Sequence, residues 1–544
     1  MTRQIVRTET RREPRSVSGS ASAQPSLGSL LKGGANRFIP LLAIFAGVYA
    51  YHNSLQGPFI FDDLVAITGN RTIRQLWPPR SLVLAPFDSP VTGRPITNFS
   101  FAVNYALGGL NVWGYHVFNL AIHILAALVL YGVVRRTLLG PSLRDRHGDQ
   151  ASWFALAVAL IWAVHPLQTE SVTYITQRTE LLMGLFLLLT LYCVIRSVES
   201  SRPAAWYAAA VVFTVLGIGS KEVMAVALVV VLAYDRLFLS KSFREAFRHR
   251  WGLYAGLAAS WLIFAALLPT RVGIDIETLS LTGVTPWVYA KTQSGVIVHY
   301  LRLSFWPAPL VGDYDDWPLA KSAAAILPSA AVVITLLCAT LWTFHRRLQP
   351  ACLGVWFSLI LAPSSSFWPL PSEIAAERRM YLPLAAVIVL IVTGGHMVLR
   401  EISSRLKWPP SLYRFLAAAL VVTIVATLAH TTVRRNEDYR SAESFWNDVL
   451  AKRPNNARGH INLGHYLLRQ GRIDEALSHF SQALRIKPND ALAHYNLGNA
   501  LDSQGKLEEA IAHYSEALRI DPKPRARALQ PGNYPCAIAW CIRK

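Results

Sequence analysis

Apolar runs recur along this chain from Phe38 to Ala429, more of them than the core of a soluble domain takes up. A segment in the hydrocarbon of a bilayer must satisfy its backbone internally, so such runs become helices. The candidate spans are 38–52, 114–134, 151–166, 180–195, 204–219, 223–239, 251–269, 323–343, 351–367, 381–399 and 412–430, about eleven in all. Several fall short of the roughly 20 residues a span needs. Composition agrees. Of 544 residues, 52% are hydrophobic and 16% charged, against about 25% charged in an ordinary soluble domain. The expected fold is all-α, a polytopic membrane helix bundle over 38–431 followed by a further helical region.

The formal charge of +20 would suit a nucleic-acid partner, but Arg and Lys cluster between the apolar runs. That is the pattern of cytoplasmic loops, and it excludes nucleic acid as the partner. The loops "RRTLLGPSLRDRHGD", "RSVESSR", "RLFLSKSFREAFRHR", "FHRR" and "REISSRLK" then share the cytoplasmic side with residues 1–37, a basic Arg-, Ser- and Thr-rich tail read as disordered. A signal peptide is not expected, because the first apolar run starts too late. The opposite side receives the loop 53–113, "HPLQTES", "GSKE", "WPLPSEIAAERR" and everything after about residue 431. Segment 287–306 would break the charge parity as a span and is expected to lie on the outer interface. Cys193, Cys338 and Cys352 sit in or beside apolar runs, and Cys536 and Cys541 near the C-terminus. No disulfide framework or metal-ligand spacing results.

The C-terminal part repeats itself. Pro454, Pro488 and Pro522 are 34 apart, and Leu463, Gly464, Gly471, Ala476, Phe480 and Ala483 recur as Leu497, Gly498, Gly505, Ala510, Tyr514 and Ala517. Small residues at helix-crossing positions with that period mark a short tetratricopeptide α-solenoid. It is expected over 432–522, with a half repeat at 441–454 and repeats at 455–488 and 489–522; residues 523–544 have no assignment. His460, Asn462, His494 and Asn496 are candidates for a peptide-binding concave face. Removing 455–544 is then expected to spare transfer to a minimal acceptor.

Ionisable residues gather at helix ends on the non-cytoplasmic side. Asp62 and Asp63 are adjacent in "GPFIFDDLVAITGN", and Arg94 precedes a helix. His165, Glu170, Arg178 and Glu180 share one loop, Lys221 and Glu222 sit in "GSKE", and Glu377, Arg378 and Arg379 in "AERRMYLP". Each alone reads equally well as a helix-end charge, but membrane-edge ionisable groups are costly and functional by default. A carboxylate can act as general base on an acceptor hydroxyl, and Arg or Lys can hold a departing phosphate. Together they fit sugar transfer from a lipid-phosphate donor. A transporter would need charges at midplane depth, whereas these lie at helix ends. A non-catalytic membrane scaffold carrying the repeats remains the alternative.

The segments "FDDLVAITGN", "RPITNFSFAVNYALGGLNVWGYHVFNLAIH", "HPLQTESVTYITQRTELL", "GSKE" and "AERRMYLP", in that order and followed by the repeats, resemble the transmembrane and TPR repeat-containing (TMTC) family over about 40–522. The resemblance implies a GT-C type, inverting glycosyltransferase of the protein O-mannosyltransferase kind, with a dolichyl- or polyprenyl-phosphate sugar as donor and a protein hydroxyl as acceptor. It implies that Asp62 and Asp63 match the family's acidic pair, with Asp62 as base. Arg94, His165, Glu170, Arg178, Lys221, Glu222, Glu377 and Arg378 are candidates for the donor phosphate or substrate. No cofactor is certain and a divalent metal is not excluded. The array is shorter than in animal members, as in a bacterial relative with periplasmic repeats and an inner-membrane location; a eukaryotic protein would place the repeats in the ER lumen.

Overall fold

The computed structural model describes residues 40–77, 85, 89–268, 284–366, 369–370 and 373–521; the expected basic tail, Pro522 and the segment 523–544 lie outside them. Among the described residues every regular element is helical. Helices of eight or more residues are numbered in order. The membrane region holds α1 (residues 40–51), α2 (Pro95–Gly108), α3 (Val112–Leu139), α4 (Ala151–Val164), α5 (Arg178–Val198), α6 (Pro203–Ile218), α7 (Ala227–Tyr234), α8 (Phe243–Leu267), α9 (Pro286–Phe305), α10 (Ala323–His345), α11 (Ala351–Leu361), α12 (Pro383–Arg405) and α13 (Pro410–Asn436). The repeat region holds α14 (Ala442–Lys452), α15 (Ala457–Arg469), α16 (Ile473–Ile486), α17 (Ala491–Ser503) and α18 (Leu507–Ile520).

Local sequence explains the starts. Proline stands in the first turn of α2, α6, α9, α12 and α13, where its missing N–H costs nothing. Asn111, Thr285 and Ser322 accept a backbone N–H and cap α3, α9 and α10. Each of the eleven expected segments contains helix among the described residues, though in 351–367 the helix ends at Leu361. Among the described residues six helices are long and apolar enough to cross a bilayer, or seven when α4 and Pro166–Thr173, bent by 55°, count as one span. Others in the expected set are apolar but short: α6 has 16 residues and α11 has 11. The helix expected after Arg94 is the 14-residue α2, in the outer loop, where its Asn and Ser residues interrupt the apolar run and keep it out of the candidate spans.

The core runs through α3, α4 and α5, with Ala126, Trp162, Met183 and Leu187 fully buried. Helix α6 packs on α5 and α8 on α6. No residue of α10 is buried, and Leu327, Ile334, Leu341, Phe415 and Val422 stand exposed on α10 and α13. Apolar stripes of that extent are what lipid covers. Along α9, Tyr289 donates to the Ser364 carbonyl at 2.7 Å, Gln293 to Ile374 at 2.9 Å, and Tyr300 Oη accepts from the Ala376 N–H at 2.8 Å. That helix therefore follows the segment leading into "AERRMYLP" along most of its length.

The repeats fold as their period requires. Ser441 caps α14, and α15–α16 and α17–α18 pair as antiparallel hairpins. A Cβ on Gly464 would lie 2.7 Å from the Phe480 ring, and one on Gly498 2.6 Å from Tyr514. Glycine at the crossing is what lets the aromatic of the partner helix in. The turn residues Gly471 and Gly505 have φ of +77° and +78°, which glycine adopts without penalty.

Candidate active site

The acid pair follows α1 in a tight loop. Phe61, just before it, has φ +44°, a left-handed conformation rare for a bulky residue. The two carboxylates then part. Asp63 is buried; its Oδ2 accepts the Ile60 N–H at 3.1 Å, and its Oδ1 accepts the Thr176 N–H at 2.7 Å and the Thr176 hydroxyl. It thus fastens its own loop to the stretch before α5. Burial pushes its carboxyl up to about 7, against the hydrogen bonds from Thr176 and Ile60. Asp62 donates its backbone N–H to Tyr174 Oη at 2.9 Å, and it lines a small cavity. The cavity, about 20 Å³, is also lined by Phe61, Tyr174, Asp313, Glu373, Arg378 and Arg458.

Of the expected cations, Arg378 shares this cavity. Its guanidinium pairs with Glu170 and Glu373, and its backbone N–H donates to Glu170 Oε2 at 2.8 Å. Four cations (Arg378, Arg379, Arg458 and Lys221) outweigh desolvation and hold the carboxyl of the part-buried Glu373 down at about 2. Glu373 therefore occupies a seat built for an anion. Glu377 faces away, its Oε1 accepting the Val311 N–H at 2.6 Å and the Tyr314 hydroxyl at 2.7 Å; burial pushes it up to about 7.

The other candidates have different surroundings. Arg94 chelates Glu222 at 3.0–3.3 Å and donates to the Pro90 carbonyl at 2.9 Å; Lys221 pairs with Glu180. None of these four residues lines the cavity. Arg178 is fully buried. It donates to Asn119 at 2.7 Å, Asn104 at 2.5 Å and the Tyr115 carbonyl at 2.9 Å, between the rings of Phe101 and Phe118. There it ties α2, α3 and α5 together and has no face toward the cavity. His165 caps the bend after α4, its Nδ1 accepting the Leu167 N–H at 3.2 Å.

On the repeats, His460 lies 3.0 Å from His479, and His494 3.0 Å from His513, nitrogen to nitrogen. Asn462 donates back to the Arg458 carbonyl at 2.8 Å. Asn496 is buried, which corrects its expected place on an open ligand face: α17 is flanked by α16 and α18. Among the described residues no group of three or more His, Cys, Asp or Glu is arranged to hold a metal. Sequence reasoning missed Tyr174, Asp313, Glu373 and Arg458 as cavity residues. Only the acidic run "DYDD" at 313–316 gave a visible signal.

A family model described as dolichyl-phosphate-mannose-protein mannosyltransferase matches residues 88–269, and one for tetratricopeptide repeats matches 431–491 and 461–523. The chain is 27% identical over 501 residues to a Mus musculus protein named protein O-mannosyl-transferase TMTC4, covering 81% of this chain and 65% of that one. It is 26% identical over 507 residues to protein O-mannosyl-transferase Tmtc3 of Drosophila melanogaster, covering 80% and 54%. A crystal structure of the Archaeoglobus fulgidus oligosaccharyltransferase with a tethered acceptor peptide aligns with a TM-score of 0.41 at 12% identity, over 79% of this chain and 59% of that one. The chain spans about half to two thirds of the length of the curated relatives it matches. With a mannosyltransferase-like membrane region first and tetratricopeptide repeats second, the chain resembles the TMTC-named proteins in both sequence and domain order.

Proposed function

We propose that this protein is a membrane glycosyltransferase that moves a mannose-like sugar from a polyprenyl- or dolichyl-phosphate donor to a protein hydroxyl, with inversion. The observation that supports it most is Asp62 and Arg378 lining one cavity, in a chain whose membrane region resembles protein mannosyltransferases. Asp62 is the base. Its carboxylate takes the proton of the acceptor hydroxyl while that oxygen bonds to the anomeric carbon. The bond from that carbon to the lipid phosphate breaks on the opposite face, and the phosphate leaves with the electron pair. Arg378 receives this charge by exchanging Glu373 for phosphate. Asp63 positions Asp62 through Thr176. The repeats bind the acceptor chain, on the same non-cytoplasmic side.

The test uses purified full-length protein with a polyprenyl-phosphate mannose donor and a Ser/Thr peptide, read by mass spectrometry. Asp62→Asn is expected to lower turnover by about 10²–10⁴ while donor binding persists. Undiminished transfer by Asp62→Asn would remove the base. No transfer by the wild type with any lipid-phosphate sugar leaves the scaffold reading.

A further inference from the structure

The membrane and repeat regions meet on one side of the cavity. Loop residues Asp313, Asp315 and Asp316, between α9 and α10, face three cations of the repeats. Arg458 pairs with Asp313 and with Asp315 at 3.0 Å each, Arg453 with Asp316 at 3.0 Å, and Lys487 with Asp315 at 2.7 Å. Asn456 donates to Asp313 at 3.1 Å and Lys452 to the Leu310 carbonyl at 2.8 Å. Apolar contacts continue the seam. A Cβ on Gly312 would run into the ring of Phe445, and Trp446 meets Phe61 edge-on at 5.3 Å. Phe61 is the residue in the left-handed conformation, and Asp62 follows it. Such strain persists only where the surroundings over-determine it, and one of those surroundings is a ring from α14. Arg458 itself reaches the cavity wall that Asp62 lines.

Resting on the transferase reading, we propose that residues 442–458 of the repeat region are a wall of the active cavity, with Arg458 as a positioning residue that fixes the Asp313–Asp315 loop across from Asp62. The repeats are then part of the catalytic unit as well as an acceptor-binding arm. The expectation that transfer to a minimal acceptor survives their removal is reversed: a short peptide that touches no repeat still needs the wall.

The test compares Arg458→Ala, Arg458→Lys and, as a control in the distal repeat, Arg519→Ala, each in the full chain. One readout is amide exchange over 59–64 and 310–316; the other is steady-state transfer to a short peptide. Arg458→Ala is expected to speed exchange in both segments by about tenfold. It is expected to lower kcat about 100-fold with donor KM unchanged, as misplacement without lost substrate contacts does. Arg458→Lys, which keeps the charge without the two-pronged geometry, recovers part of both, and Arg519→Ala changes neither. If Arg458→Ala does not accumulate in folded form, Trp446→Leu, which removes the ring against Phe61, carries the same two readouts. Unaltered exchange over 59–64 overturns the wall. Faster exchange with undiminished kcat overturns the positioning role. A wild-type protein that transfers no sugar sinks the transferase reading instead, and the exchange comparison then decides the wall by itself.

Discussion

Asp62 and Asp63 are neighbours in sequence with unlike surroundings, and their pH behaviour follows from that. The Asp63 carboxyl is raised from 3.8 to about 7 by burial. Between those values the folded chain holds a proton that the unfolded chain has released. Stability therefore falls as pH rises from about 4 to about 7 and levels off above. Asp63→Asn lacks this slope. The gap between wild-type and variant melting temperatures is expected to narrow from pH 5 to pH 8; a constant gap would show that the buried carboxyl does not titrate there. Glu373 behaves oppositely: the cations Arg378, Arg379, Arg458 and Lys221 lower its carboxyl to about 2, against desolvation. Glu373→Gln should free that seat, so donor KM falls severalfold with kcat nearly unchanged; a higher KM would mean that Glu373 helps to bind the donor. The adjacent acids were legible because adjacency is a sequence property. That Asp63 is buried against Thr176 while Asp62 lines the cavity was not, since Thr176 lies 113 positions from Asp63.

At the scale of helices, patterns of fixed period read well. The 34-residue spacing foretold which glycines meet aromatic rings, Gly464 with Phe480 and Gly498 with Tyr514. Adding a methyl at Gly498 forces the Tyr514 ring or the helices apart. Gly498→Ala is expected to cost about 1–3 kcal/mol, seen as faster amide exchange over α17 and α18 while the membrane region is unaffected. An unchanged exchange pattern would mean that the hairpin has slack at its crossing. Apolar runs likewise announced the membrane helices, because every such run must close its own hydrogen bonds. Helix α2 was expected after Arg94 but gave no apolar run of its own. Its Asn98, Ser100 and Asn104 break the apolar run, yet these polar groups are buried, and Asn98, Ser100 and Asn104 serve Asn70 and Arg178 rather than water. A polar stretch satisfied by distant partners looks solvent-exposed when read alone.

Across the whole molecule, the acid pair and the repeats share one end of the bundle, since Asp62 and Arg458 line the same cavity. The excess of Arg and Lys on the opposite loops predicts that this end is not cytoplasmic. A reporter that works only in the cytoplasm, fused after Asp521, should be silent, and one fused in the loop after α12 should be active; signal from the first fusion would invert the orientation. The seam itself had no sequence cue. Arg458 and Asp313 are 145 positions apart, and charge patterning informs only over neighbouring turns of one helix. That seam has a further consequence for acceptor choice. Because α14 and α15 are bolted to the loop beside the cavity, the array projects from it at a fixed heading. A polypeptide held farther along, as the proposed acceptor role requires, must span the distance to the cavity at no more than about 3.3–3.6 Å per residue. If the repeats grip the acceptor as proposed, the array would work as a ruler that sets the smallest number of residues between the gripped segment and the hydroxyl that reacts.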